Sequence, residues 1–147
     1  MVTEADQELI DAAIAARENA FAPYSGYKVG AAVRTASGRI FTGCNVEISS
    51  FSHTCCAERV AVFKAVSEGE RELIAAAVIT IDAEPGTPCG ACRQVLFEFG
   101  PNMDVWLSNL DGVVRKRNSR ELIPDAFGPG WVLPHIQRRH GREGERG

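Results

Sequence analysis

The sequence predicts an α/β protein, a sheet covered by helices in one compact domain. Three observations carry this. Segments of helical and extended character follow the order α-β-β-α-β-α-β-β-α. The run Ile74 to Ile81 (IAAAVITI) is continuously apolar but for Thr80, as strands buried on both faces are. The chain of 147 residues suffices for one domain that buries roughly two thirds of its unfolded surface, so it needs no metal or disulfide in order to fold. A metal site, if there is one, is therefore free to be functional.

Each element has a local reason. From Thr3 to Phe21, Leu9, Ile10, Ala13, Ile14 and Phe21 recur at threes and fours, with Thr3 as N-cap, Asp6 three residues on, and Pro23 as the stop. Tyr27 to Thr35 and Arg39 to Val46 are extended runs around the Ser37-Gly38 turn and predict a hairpin. A glycine at position 30 implies a close neighbour on the backbone there. Cys56 to Glu68 carries Val60, Val62, Phe63 and Val66 at helical spacing and stops at Gly69. After the buried strand, Cys89 to Phe99 predicts a short helix closed by Gly100-Pro101. Asp104 to Ser108 and Val113 to Arg117 read as strands, and Ser119 as the cap of a last helix at Arg120 to Ile123. Residues 1–133 make the expected domain, and 134–147, rich in arginine, glycine and glutamate, a solvated tail.

Charge and composition disfavour several classes. The net charge of −3, with acids and bases interspersed, offers no general attraction to nucleic acid or anionic membrane. No apolar run approaches the ~20 residues of a membrane span. The start MVTEADQELI lacks the basic and apolar regions of a signal peptide, so a cytoplasmic protein is expected. Five cysteines in a reducing compartment point to metal ligands or redox groups rather than disulfides.

The cysteines cluster at two predicted helix starts. Cys89-Gly90-Ala91-Cys92 follows Pro88 between a buried strand and a helix, where sheet enzymes keep their sites and where the helix dipole favours thiolate. Thr54-Cys55-Cys56-Ala57-Glu58-Arg59 opens the other helix. Cys56, Cys89 and Cys92 would give zinc three soft ligands and leave the fourth position open to water, as catalytic sites do. A closed structural site recruiting Cys55 or His53 is the alternative. Glu58 favours the catalytic form, because a general acid/base near a metal-activated water has a use that a structural site lacks. At about 100° per residue, Glu58 lies roughly 200° from Cys56 and about 60° from Cys55 on an ideal helix. Cys56 converges with Glu58 only if it precedes the first regular turn.

These motifs together, C-A-E-R and P-C-G-A-C-R-Q, resemble the signature of zinc nucleobase deaminases, which includes all-cysteine sites and a glutamate that is not a ligand. More closely, the chain resembles the small homotetrameric cytidine deaminases from about Leu9 to Phe127. Ala22-Pro23-Tyr24-Ser25, Val29-Gly30-Ala31-Ala32, Gly43-Cys44-Asn45-Val46-Glu47, Phe63-Lys64-Ala65 with Ser67-Glu68-Gly69, and Leu122-Ile123-Pro124 with Ala126-Phe127 carry the likeness. It implies a three-layer α/β/α fold around a mixed five-stranded sheet. It also implies one zinc per subunit held by Cys56, Cys89 and Cys92, with Glu58 as proton shuttle and Arg59 hydrogen-bonding the ligand sulfurs.

The implied reaction is hydrolytic deamination of cytidine and deoxycytidine to the uracil nucleosides and ammonia, a pyrimidine-salvage step. Asn45 and Glu47 would bind the ribose hydroxyls, and Tyr27 and Ala57 the base. Phe127 would be lent by a neighbouring subunit. Ile48 and Phe51 depart from the family pattern near the expected sugar and subunit contacts, which leaves a modified cytosine nucleoside or a blasticidin-like antibiotic as alternative substrate. Deamination within a nucleic acid, and a non-catalytic zinc or thiol redox module, are the other readings. The first would call for a basic surface around the site, yet basic residues cluster only at Arg115-Lys116-Arg117 and in the tail.

Overall fold

A computed structural model describes residues 1–134 of the chain. It contains α1 (Glu4–Arg17), β1 (Gly30–Thr35), β2 (Ile40–Cys44), α2 (Ala57–Ser67), β3 (Leu73–Thr80), α3 (Gly90–Phe99), β4 (Asp104–Asn109) and β5 (Val114–Asn118), with a 3₁₀ turn at Phe51–His53. The five strands form one sheet in the order β2-β1-β3-β4-β5. β3 and β4 are parallel and the other pairs antiparallel, so the sheet is mixed as expected. The expected tail lies, from residue 135 on, outside the described residues.

Alternation along the central strands builds a core on each face. Ala76, Val78, Val105 and Leu107 point to one face and meet Ala57, Ala61, Val62 and Ala65 of α2 and Leu96 of α3. Ala77, Ile79 and Trp106 point to the other and meet Leu9, Ile10 and Ala13 of α1. This is why the run from Ala75 to Ile79 has no polar residue: both its faces are covered, and the result is three layers, helix over sheet over helix.

Two glycines let the helices come so close. A β-carbon on Gly30 would lie 2.0 Å from the carbonyl oxygen of Ala13, and one on Gly43 would lie 2.4 Å from that of Ala57. Gly30 thus admits α1 and Gly43 the first turn of α2. Gly30→Ala should cost about 3 kcal/mol, because the obstacle is backbone that cannot rotate away, and urea unfolding at unchanged slope would show it.

The expected element boundaries shift for identifiable reasons. α1 ends at Arg17 rather than Phe21, because Phe21 leaves the helix to donate to the Asn45 carbonyl (2.9 Å) and accept from the Glu47 N–H (2.8 Å). β1 starts at Gly30 rather than Tyr27, because the Asn45 side chain replaces the ladder there: its Nδ2 donates to the Tyr27 carbonyl (2.7 Å) and its Oδ1 accepts from the Val29 N–H (2.9 Å). The helix expected at Arg120 to Ile123 is only a turn, with the Leu122 N–H bonded to the Asn118 carbonyl. Ser119 does not cap it; its buried hydroxyl instead accepts from the Met103 N–H and donates to the Gly100 carbonyl. Pro124 follows too soon for a helix to continue.

Candidate metal centre and substrate cavity

The loop after β3 and the N-termini of α2 and α3 meet at one end of the sheet. Cys56 is the N-cap of α2 with extended backbone (φ −68°, ψ 154°), and Cys89 caps α3 in the same way (φ −65°, ψ 167°). Cys92 lies on the first turn of α3. The three Sγ atoms are all within 4.8 Å of one another, while Cys55 and His53 stand outside the group. Cys55 is held by a bridge with Val46, each N–H bonded to the other's carbonyl at 3.0 Å, and the His53 Nδ1 meets the Ser50 hydroxyl at 2.8 Å.

The thiol triad has the dimensions of a zinc site. Two thiolates at about 2.3 Å from a tetrahedral ion lie about 3.8 Å apart. The Sγ atoms of Cys56 and Cys89 are 3.9 Å apart. Hydrogen bonds from Cys92 and Arg59 hold the Cys56 thiol down at about 5, so it is available as thiolate; Cys92, donating to Cys56 and buried, is pushed up. The Nη2 of Arg59 donates to the Cys56 sulfur at 3.4 Å. Its Nε is buried with no hydrogen-bond partner among the described residues, a cationic donor that adds to the site's preference for negative charge.

Glu58, in the first turn of α2, is 5% exposed. Burial raises its carboxyl, opposed by a hydrogen bond with Cys92. Its carboxyl is thus sequestered from solvent and lies outside the thiol cluster. The non-helical backbone of Cys56 is what allows its sulfur and the Glu58 carboxyl to face one cavity.

That cavity, of ≈330 Å³, is lined by Glu58, Cys56, Cys89 and Ala57 at one end and by Ser25, Asn45 and Glu47 at the other, with Tyr27 among its walls. Glu47 accepts from the N–H groups of Tyr24 and Ser25, both at 3.0 Å, and from the Ser25 hydroxyl. These bonds, the hydroxyl first, hold its carboxyl below the ordinary range. Asn45 has both ends of its amide tied to backbone, leaving one N–H and one lone pair for a ligand. Phe127 is 63% exposed and stands outside the cavity of its own chain, its carbonyl accepting from Gln94 at 2.7 Å.

Four contributors went unread in the sequence. Ser25 clamps Glu47, though only its place in Ala-Pro-Tyr-Ser hinted at a role. Thr80 and Thr87 line the cavity. Arg93 fixes the approach to Cys89 by donating to the Pro88 carbonyl (2.7 Å), the Leu122 carbonyl (2.9 Å) and the Thr87 hydroxyl (3.1 Å). Its position directly after Cys92 in P-C-G-A-C-R was the available signal.

A sheet-end cavity with three clustered thiols and a buried carboxyl outside the cluster has the parts of a zinc hydrolytic enzyme. Residues 3–107 match the family model for the cytidine and deoxycytidylate deaminase zinc-binding region. A cytidine deaminase of Halalkalibacterium halodurans is 48% identical over 122 residues, covering 82% of this chain and 92% of that one. One of Mycobacterium tuberculosis is 42% identical over 113 residues, 77% of this chain and 82% of that one. The crystal structure of a cytidine deaminase from Burkholderia pseudomallei superposes with a TM-score of 0.80 at 50% identity, covering 82% of this chain and 98% of that one. The chain belongs to the cytidine and deoxycytidylate deaminase family, and its cofactor is zinc.

Proposed function

We propose that the protein deaminates cytidine and deoxycytidine, releasing ammonia and leaving uridine or deoxyuridine. The observation that carries the reading is the cavity that joins a buried acid and two of the three clustered thiols, Cys56 and Cys89, to an amide and a carboxylate suited to sugar hydroxyls. Cys56, Cys89 and Cys92 hold the zinc, which when bound supplies a water acidic enough to act as nucleophile at neutral pH. Arg59 draws charge back from the sulfurs, offsetting the electron donation of three thiolates.

Glu58 moves the protons. Its carboxylate takes one from the attacking water and delivers it to the ring nitrogen beside the amino-bearing carbon, which makes that carbon electrophilic. The hydroxyl adds there. Glu58 then carries the hydroxyl's proton to the amine, the carbon–nitrogen bond breaks, and ammonia leaves as the carbonyl forms. At the far end, Glu47 and Asn45 receive the sugar hydroxyls, with Glu47 held in place by Ser25. Ala57 and Tyr27 bound the base.

The catalytic unit spans 1–133 and works as a cytoplasmic homotetramer, returning cytosine nucleosides to the uracil pool. Phe127, exposed and outside its own cavity, completes the site of a neighbouring subunit. Purified zinc-loaded protein should release ammonia from cytidine with the matching absorbance change, and sedimentation should give four chains. Absence of turnover on every cytosine nucleoside with zinc bound would refute the assignment.

A further inference from the structure

The cavity has two walls that come from distant parts of the chain. One is the segment 22–29 leading into β1, and the other is the loop 81–88 that delivers Cys89. The loop is pinned to its own side: Asn109 Nδ2 donates to the carbonyls of Asp82 (3.2 Å) and Ala83 (2.8 Å), and the Gly86 N–H donates to the Thr80 hydroxyl (2.8 Å). The opposite segment is pinned to Asn45 and Glu47. Across the gap, the Tyr27 hydroxyl donates to the Asp82 carboxylate, 55 residues along the chain.

Tyr27 also joins the sugar end of the cavity. Its N–H donates to the Ser25 hydroxyl (3.0 Å), which in turn donates to Glu47. One hydrogen-bonded chain therefore runs from Asp82 through Tyr27 and Ser25 to Glu47. The Tyr27 ring, fixed at both its backbone and its hydroxyl, lies on the cavity wall. A phenylalanine in its place would keep the ring but lose the outer anchor.

We infer that Tyr27 and Asp82 form a clasp across the cavity that fixes the Tyr27 ring for the bound nucleoside, setting affinity rather than the chemical step. This rests on the reading that the cavity takes a cytosine nucleoside. Asp82 is a positioning residue, since it acts through Tyr27. Partial burial and the Asp82 acceptor both raise the Tyr27 phenol, in keeping with a hydroxyl committed to this bond. The Asn109 bond goes to the Asp82 backbone, so substituting the side chain leaves the loop's other anchors in place.

The test is a double-mutant cycle in the zinc-loaded enzyme. Tyr27→Phe and Asp82→Ala should each raise KM for cytidine about five- to tenfold, the worth of one ordinary intramolecular hydrogen bond. The double variant should be no worse than either single, kcat should change less than about twofold, and Asp82→Asn, whose amide oxygen still accepts, should recover most of the affinity. A readout independent of turnover is the ultraviolet titration of the tyrosines. The chain has two, so subtracting the Tyr27→Phe titration isolates Tyr27, which Asp82→Ala should bring down. An unmoved Tyr27 titration, additive KM effects, or no KM effect would overturn the clasp. Failure of the wild-type enzyme to turn over any cytosine nucleoside would instead overturn the functional reading, with the titration still deciding whether Tyr27 and Asp82 are joined.

Discussion

Glu58→Gln should retain one zinc per chain and lose at least about a thousandfold in kcat on cytidine, within the range that a positioned acid/base contributes. Retention of metal follows from geometry, since the three thiols form the cluster without Glu58. Retention of fold follows from electrostatics. Burial already disfavours the charged carboxylate, and a neutral amide of the same size removes that cost without opening a cavity. What the amide cannot do is take a proton from water and return it to the ring and the amine. Metal analysis together with steady-state kinetics decides the matter. Loss of zinc would make Glu58 a structural support of the centre, and undiminished turnover would move the proton shuttle elsewhere.

The adjacent cysteines should separate just as sharply. Cys56→Ala should weaken zinc binding by at least about three orders of magnitude, because one of three anionic ligands is lost from a site whose total binding energy is on the order of 10 kcal/mol. Cys55→Ala should leave zinc affinity within about threefold, because the Cys55 sulfur stands outside the cluster and its backbone is paired with Val46. Competition with a chromogenic chelator measures both. The opposite pattern would overturn the assignment of Cys56 as ligand and with it the register of the whole motif.

The same pair shows what could be read from residues and what could not. Among the described residues, periodicity located the five strands and the helices α1, α2 and α3, because apolar alternation and capping residues are local properties. Ideal helix angles nevertheless paired Glu58 with Cys55. The structure reverses that preference through a single backbone angle: with ψ at 154°, Cys56 has not entered the helix, and the 100° rule does not yet apply to it. Asn45 was legible as a polar residue of the site, but its occupation by the Tyr27 and Val29 backbone depends on pairing across the hairpin. Asp82 left no local trace at all, being 55 residues from the hydroxyl it accepts. Ser119 had the look of a helix cap and became a buried link between Gly100 and Met103, since tertiary packing outbid a weak local preference.

The two apolar layers that sandwich the sheet draw on side chains of which only Cys92 belongs to the metal cluster. The core for that reason does not need the ion in order to form, unlike the cores of small zinc domains, and zinc bound to the folded chain adds stability on top of it. The zinc-free chain is expected to fold and to gain activity on addition of the ion, which unfolding of the chelator-treated protein and its reactivation by zinc would check. On that expectation catalytic capacity follows metal supply more steeply than the folded population does, which would make the apo form a reserve rather than a dead end.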